Sequence, residues 1–383
     1  MINVSKMYRG LAGQSDSLRY ASSKTNRPIV VYNCTFRCNL KCLHCYSASE
    51  AAKSADELST AQAKDLISQI ADYGSPVVLF SGGEPLMRGD LFELIAHAGK
   101  SNIKAVISTN GTLIDSTAAE KLKEAGVSYV GISIDGPEAF HDKFRAVEGS
   151  FQATMQGFNN CRKAGLRTGL RFTITKYNAD QIETVFDIAE KAGVRRICFY
   201  HLIRMGRAKD ISDQALDPKQ TRRAVDTIIE KTDRFVSDDL VDEVLTVGNH
   251  ADGPYIVTRL QQENSPLAAE AVNLLLVNGG NRIGQNIAAV SWDGKVYPDQ
   301  FWRNYSLGNI MEKNFGEIWN NSDDSVLHIL RNKNEYRDSR CAKCKWFDLC
   351  KGNFRFLGSD SSIDNWQNEP ACYLTDKEIG ITD

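Results

Sequence analysis

Six short runs rich in β-branched apolar residues stand at 29–33, 77–80, 105–108, 129–134, 169–174 and 196–200, each followed by a polar or glycine-bearing loop and an amphipathic helical stretch. That alternation marks parallel strands, because a parallel connection needs a crossover long enough to hold a helix. Such crossovers are right-handed, so six successive units curl into an open, partial (β/α)6 barrel of the TIM type, an α/β fold with reactive groups at the strand C-termini. A doubly wound open sheet is the alternative reading of the same rhythm. Helix ends are written locally. Ser59 with Gln62 makes a capping box, Asp115 caps another helix, and Gly74 and Gly126 stand where helices stop.

The rhythm divides the chain into an N-terminal extension (1–28), a barrel (29–210), a charged, less periodic connecting region read as helical (211–285), and a small C-terminal α+β domain (286–383). The last opens on runs at 288–292 and 295–297 that flank Asp293-Gly294, a two-residue hairpin signal. Lysine and arginine number 46 against 48 aspartate and glutamate, a net charge of −2, so no global positive field exists to hold nucleic acid. No uncharged apolar run approaches the ~18 residues of a membrane span. Residues 1–9 lack the apolar core and cleavage site of a secretory signal, which gives the expectation of a cytoplasmic protein.

In a reduced compartment ten cysteines are ligands or catalytic groups more often than disulfide partners. Cys38, Cys42 and Cys45 read C-x3-C-x2-C directly after the first strand, at the mouth of the barrel. Three thiolates suffice for three irons of a [4Fe-4S] cluster and leave one iron open, whereas a structural zinc site wants four ligands. His44, between two of the thiols, is the one candidate fourth ligand and would have to fold back sharply. Cys341, Cys344, Cys350 and Cys372 supply four thiolates near the C-terminus, and from spacing alone structural zinc and a fully ligated [4Fe-4S] cluster fit equally. Cys34, Cys161 and Cys198 read as small buried hydrophobes. At the later strand ends stand Gly82-Gly83-Glu84-Pro85, Ser108-Thr109-Asn110-Gly111 and Ser133-Ile134-Asp135-Gly136, then Arg145. Paired glycines admit a ligand close to backbone, carboxylates accept from an ammonium or ribose hydroxyl, and arginine pairs a carboxylate. Each alone is a common turn; their recurrence at successive strand ends is the signal.

The cysteine motif with these strand-end motifs resembles the radical S-adenosylmethionine (SAM) enzymes. The resemblance implies a partial barrel whose cluster, on Cys38, Cys42 and Cys45, binds SAM and yields a 5′-deoxyadenosyl radical. It places Gly82, Gly83 and Glu84 at the SAM amino group, Ser133 and Asp135 near its ribose, and Ser108, Asn110 and Arg145 among its contacts. The C-terminal cysteines resemble the SPASM extension found behind many such enzymes, as does His141-Asp142 with Arg145, and this tips the second site to an auxiliary [4Fe-4S] cluster on Cys341, Cys344, Cys350 and Cys372. Two cysteine positions of a full SPASM domain are occupied by Phe354 and Asp299, so a single auxiliary cluster is expected, with Asp299 conceivable as a carboxylate ligand elsewhere.

Tyr297-Pro298-Asp299-Gln300-Phe301-Trp302, Leu307-Gly308-Asn309, Lys351-Gly352-Asn353-Phe354-Arg355, Ser17-Leu18-Arg19-Tyr20, and Tyr200-His201-Leu202 with Gly206-Arg207-Ala208 resemble a narrower group that modifies tetrapyrroles. The implied reaction removes two acetate side chains from 12,18-didecarboxysiroheme to give iron-coproporphyrin III, with a flavodoxin or ferredoxin as electron donor. Formation of the nitrite-reductase haem, in which propionates give way to oxo groups, is the first alternative, and peptide maturation the second. A non-enzymatic iron–sulfur carrier or a zinc-stabilised binding module is the alternative of another class. An anionic planar macrocycle calls for arginines and aromatics, for which Arg204, Arg207, Arg303, Phe301 and Trp302 are candidates against solvated arginines and core aromatics. His201, at the sixth strand's end, is a candidate iron ligand or proton donor, and a satisfied core histidine otherwise.

Overall fold

The computed structural model describes residues 1–10, 27–52, 56–337, 339–352 and 371–381. Ser17 to Tyr20, Asn353 to Arg355 and thus Phe354 lie outside the described residues. In chain order the strands are β1 (Ile2–Asn3), β2 (Ile29–Thr35), β3 (Val77–Gly82), β4 (Lys104–Thr109), β5 (Tyr129–Ser133), β6 (Thr168–Ile174), β7 (Arg196–His201), β8 (Glu243–Val247), β9 (Ile287–Val290), β10 (Lys295–Tyr297) and β11 (Gly308–Asn309).

They form one sheet in the order β1-β8-β7-β6-β5-β4-β3-β2-β9-β10-β11. From β2 to β8 every neighbour is the next strand in sequence and every pair is parallel. A doubly wound sheet reverses its order at a switch point. No reversal occurs here, so the helices cover one face and the sheet curls as a partial barrel. The strands read as apolar runs because a parallel sheet is buried on both faces, and β2 is buried from end to end. Outside the barrel Phe172 meets Phe199, which meets Phe186 of the helix Ile182–Ala192, which in turn meets Phe235 of the helix Pro218–Ser237. Burial of each such ring contributes about 1.5–3 kcal/mol.

Local signals hold where they were strongest. Ser59 and Gln62 form the capping box of the helix Thr60–Asp72, and Asp115 accepts from Ala118 N at 2.7 Å. Four features differ from expectation. The connecting region 211–285 contains β8, a seventh parallel strand. The start of the extension 1–28 is β1 and the helix Val4–Arg9, with Ile2 and Asn3 paired antiparallel to Thr246 and Leu245 of β8. The C-terminal part shares the barrel's sheet, since β9 pairs in parallel with β2 from Ile29↔Ile287 to Tyr32↔Val290. The hairpin turn is one residue longer than expected: Ser291 N donates to Lys295 O and Trp292 to Gly294 make the turn, with Gly294 left-handed at φ +82°. Among the described residues no helix is long and apolar enough to cross a membrane.

Candidate active site

The strand C-termini open on a cavity of about 400 Å³. Cys38, Cys42 and Cys45 all line it, on the loop after β2. That loop has no regular structure of its own and is held by its neighbours. Cys38 N donates to Glu50 O (2.7 Å), Lys41 N to Arg145 O (3.2 Å) and Leu43 N to Phe144 O (3.0 Å). Arg207 completes the clamp: its backbone N donates to Cys45 O, and its guanidinium to Cys42 O and Ser49 O, each at 2.9 Å. The structure thus gives Arg207 the work of holding the cysteine loop; it is absent from the cavity wall, where a catalytic arginine was expected. Among the thiols, burial pushes Cys42 up to about 12 and Cys38 up to about 11, with the neighbouring thiols adding to the rise.

Of the strand-end residues, Gly82, Gly83, Ser108, Asn110, Ser133 and Arg145 line the cavity. Glu84 and Asp135 stand behind it. Glu84 is fully buried and accepts from Thr109 Oγ1 (2.7 Å), Asn110 N (2.8 Å) and Leu86 N (3.1 Å), so its carboxylate ties the end of β3 to that of β4. Burial pushes its pKa up against those hydrogen bonds. Asp135 is buried and accepts from Arg145 Nε and the terminal guanidinium nitrogen at 2.8 and 2.7 Å. Burial opposes its ionisation, but Arg145, His44 and His141 outweigh that and hold it below the usual carboxylate range. The expected ribose carboxylate is therefore the anchor of Arg145, and Arg145 is the group presented to the cavity. His44 stacks on Phe144 at 4.6 Å, and burial lowers its pKa to about 4, leaving it a neutral ring beside the loop.

Backbone crowding explains the paired glycines. Gly83 N donates to Thr35 O and Glu84 N to Arg37 O, which lays this turn against the start of the cysteine loop. A Cβ at Gly83 would lie 2.0 Å from Arg37 O, a backbone atom with no freedom to yield. Gly83→Ala therefore displaces the loop that carries Cys38, and misplacement of about 1 Å at a reaction centre costs on the order of 100-fold in rate. The expected result is a fall of that size in 5′-deoxyadenosine formed per bound iron, read by chromatography; an unchanged rate would remove the packing argument.

His201 and Asp299 reach the cavity wall, as do Phe301 and Tyr200. Asp299 Oδ1 is committed to a turn, accepting from Phe301 N (2.8 Å) and Trp302 N (2.9 Å). Trp302 packs in a separate cluster with Val326 and Leu330, Arg204 is exposed, and Arg303 lies over the Trp292 ring at 4.6 Å, so none of these three joins the cavity. Arg171, which the sequence reading passed over, lines it from the middle of β6 and donates to Ser108 Oγ. An arginine inside a buried strand was the available signal. Gly131 opposite it leaves the room, since a Cβ there would sit 2.5 Å from Arg171 Nε.

Cys341, Cys344, Cys350 and Cys372 gather beside this wall. Burial raises the Cys350 pKa well above the usual thiol range, and Cys372, Cys341 and Cys344 add to the rise. Asn281 N, on the cavity wall, donates to Cys350 O at 2.9 Å, and Arg340 donates to Cys372 Sγ at 3.3 Å. Among the described residues no three His, Cys, Asp or Glu side chains converge on one metal ion. The three thiols of the loop after β2, set around the cavity with Leu40 N donating to Cys38 Sγ at 3.5 Å, suit the corners of a multi-iron cluster better than a single ion. Cys34 is fully buried in β2, the small hydrophobe expected.

Comparison with known proteins agrees with this geometry. The profile of the radical SAM superfamily matches residues 32–189, and that of the SPASM iron–sulfur cluster-binding domain matches residues 282–345. The chain is 47% identical to Fe-coproporphyrin III synthase of Methanosarcina barkeri over 99% of both chains. It is 36% identical to pre-heme d1 synthase of Dinoroseobacter shibae over 93% of this chain and 88% of that one. The solved structure of native anSMEcpe with bound AdoMet has the same fold, with a TM-score of 0.64 at 22% identity over 85% of this chain and 88% of that one. The radical SAM domain implies a [4Fe-4S] cluster with SAM, and the SPASM domain implies auxiliary iron–sulfur clusters. The chain belongs to the radical SAM superfamily, among its SPASM-bearing enzymes of haem biosynthesis.

Proposed function

We propose that this enzyme removes the two acetate side chains of 12,18-didecarboxysiroheme to give iron-coproporphyrin III. The observation that carries the reading is likeness to Fe-coproporphyrin III synthase over 99% of both chains, around a cavity of about 400 Å³ lined by Cys38, Cys42 and Cys45. Cys38, Cys42 and Cys45 would hold the SAM-binding cluster, and Cys341, Cys344, Cys350 and Cys372 a single auxiliary [4Fe-4S] cluster. With SAM bound, the first cluster supplies hydrogen-atom abstraction. The chain's own residues do the rest: Gly82 and Gly83 let SAM approach backbone, Ser133 and Asn110 offer polar contacts, and Arg145 presents a cation for its carboxylate. Arg171 and Phe301 offer a charge and a ring to an anionic macrocycle. A flavodoxin or ferredoxin in the cytoplasm is the proposed source of electrons.

The test is mass spectrometry of an anaerobic reaction of reconstituted protein, SAM, dithionite and 12,18-didecarboxysiroheme, with 5′-deoxyadenosine followed alongside. Loss of two acetate groups with 5′-deoxyadenosine formed is the expected result. Formation of 5′-deoxyadenosine with the tetrapyrrole unchanged would overturn the substrate and move the reading to the nitrite-reductase haem or to a peptide.

A further inference from the structure

His201 ends β7 and its ring lines the cavity. Its Nε2 lies 2.8 Å from Asp252 Oδ2, and Tyr373 donates through its hydroxyl to Asp252 Oδ1 at 2.9 Å. Asp252 is fully buried and begins the helix Asp252–Gln262, where negative charge is favoured. A carboxylate that accepts from both neighbours fixes the imidazole with its proton on Nε2, which leaves Nδ1 as the ring nitrogen without a partner among the described residues. The same turn is tied a second time to the C-terminal segment, for Asn249 donates to Ala371 O at 2.7 Å. Cys372 lies between those two attachment points, so the cysteine set proposed for the auxiliary cluster and the His201 ring are joined through one buried turn.

This arrangement decides between two uses of the histidine. Iron takes the less hindered Nε2 most readily, and here that nitrogen is engaged by a carboxylate. A ring oriented by a buried carboxylate and open at its other nitrogen is instead the geometry of a general acid–base group. We infer that His201 is the proton-transfer residue of the cavity and that Asp252, anchored by Tyr373, is its positioning residue. The inference rests on the tetrapyrrole reading above. In the step assigned to it, the N–H bond at Nδ1 of the imidazolium breaks, the proton passes to the bound substrate, and the neutral ring remains hydrogen-bonded through Nε2 to Asp252 until solvent returns a proton. Asp252 stabilises the charged ring and keeps Nδ1 aimed, and it touches no reacting atom.

The experiment compares His201→Ala, Asp252→Asn, Tyr373→Phe and the double variant His201→Ala/Asp252→Asn, each checked for iron content equal to that of the unaltered protein. His201→Ala should lower kcat for tetrapyrrole conversion by about 100-fold or more, with smaller falls for Asp252→Asn and Tyr373→Phe. Optical titration with iron-coproporphyrin III should give the same Soret band and the same Kd for His201→Ala as for the unaltered protein. The double variant should be no slower than His201→Ala alone, because a positioning residue has nothing left to position. A displaced Soret band with weakened binding in His201→Ala would make the residue an iron ligand and overturn the assignment. Undiminished turnover in His201→Ala would overturn it as well, and a double variant slower than the single one would remove the role of Asp252. Failure of the unaltered protein to convert the tetrapyrrole is a separate result: it rejects the substrate reading, and this inference with it, before any variant is compared.

Discussion

Cys42→Ala should purify without the iron of one cluster and form no 5′-deoxyadenosine above background, while Cys350→Ala loses iron yet retains part of the SAM cleavage. Three thiolates are the minimum that leaves one iron of a [4Fe-4S] cluster open to a ligand, so deleting one leaves two, and among the described residues no spare donor takes its place. His44 is the nearest candidate, and its ring is already stacked on Phe144 with Nε2 3.6 Å from Asp135. Cys45 Sγ faces Ser47 Oγ at 3.3 Å, a hydroxyl too weak a donor to stand in for a thiolate. Cys350 belongs to the other set, whose loss leaves the loop of residues 38–45 and its Arg207 clamp untouched. Cys34→Ala is the control. Its thiol is fully buried and pushed up to about 12 by that burial, so it remains a protonated hydrophobe, and its replacement should leave both iron content and cleavage intact. Iron and sulfide assays beside chromatography of 5′-deoxyadenosine decide the matter. Full iron in Cys42→Ala would mean that the ligand set is wrong.

The barrel was legible because its signals are local. Each of β2 to β7 begins and ends within about two residues of an apolar run, and the site residues cluster at those ends because parallel strands all point the same way. What was lost lay in pairings between distant parts of the chain. β1 is two residues long and has no pattern of its own; it exists because Ile2 and Asn3 meet Thr246 and Leu245. β8 follows the charged helix Pro218–Ser237 in a segment without periodicity, and its strand state is set by β7 on one side and β1 on the other. In the site, residue type was readable and direction was not. Glu84 and Asp135 carry the right chemistry for a SAM contact, but Glu84 turns toward Thr109 and Asn110, and Asp135 toward Arg145. Asp252 stood in a stretch with no motif, and only folding sets it between His201 and Tyr373.

Arg145→Met should be the most destabilising single change at the site. Arg145 and Asp135 have side chains 6% and 1% exposed, and they meet at 2.7 Å. Removing one member of a buried pair strands the other charge and costs about 3–5 kcal/mol. Neither neighbouring imidazole replaces the lost cation at neutral pH, because burial lowers the pKa of His44 to about 4 and of His141 to about 3. The sign with pH follows from which way Asp135 moves. In the intact protein its pKa is held low, so its contribution to stability is present above the ordinary carboxylate range and fades as pH falls through its depressed value. Without Arg145 the largest influence opposing burial is gone and the pKa of Asp135 rises, so the variant is penalised at neutral pH and recovers as Asp135 takes a proton. The gap in Tm between variant and intact protein should therefore narrow from pH 7.5 to pH 5.5. Asp135→Asn/Arg145→Met, which removes both charges, should regain most of the stability. It should not regain SAM cleavage, since the guanidinium at the cavity wall is still missing. A single variant as stable as the intact protein would show that the pair is not buried as a charged unit, and restored cleavage in the double variant would show that Arg145 serves the fold alone.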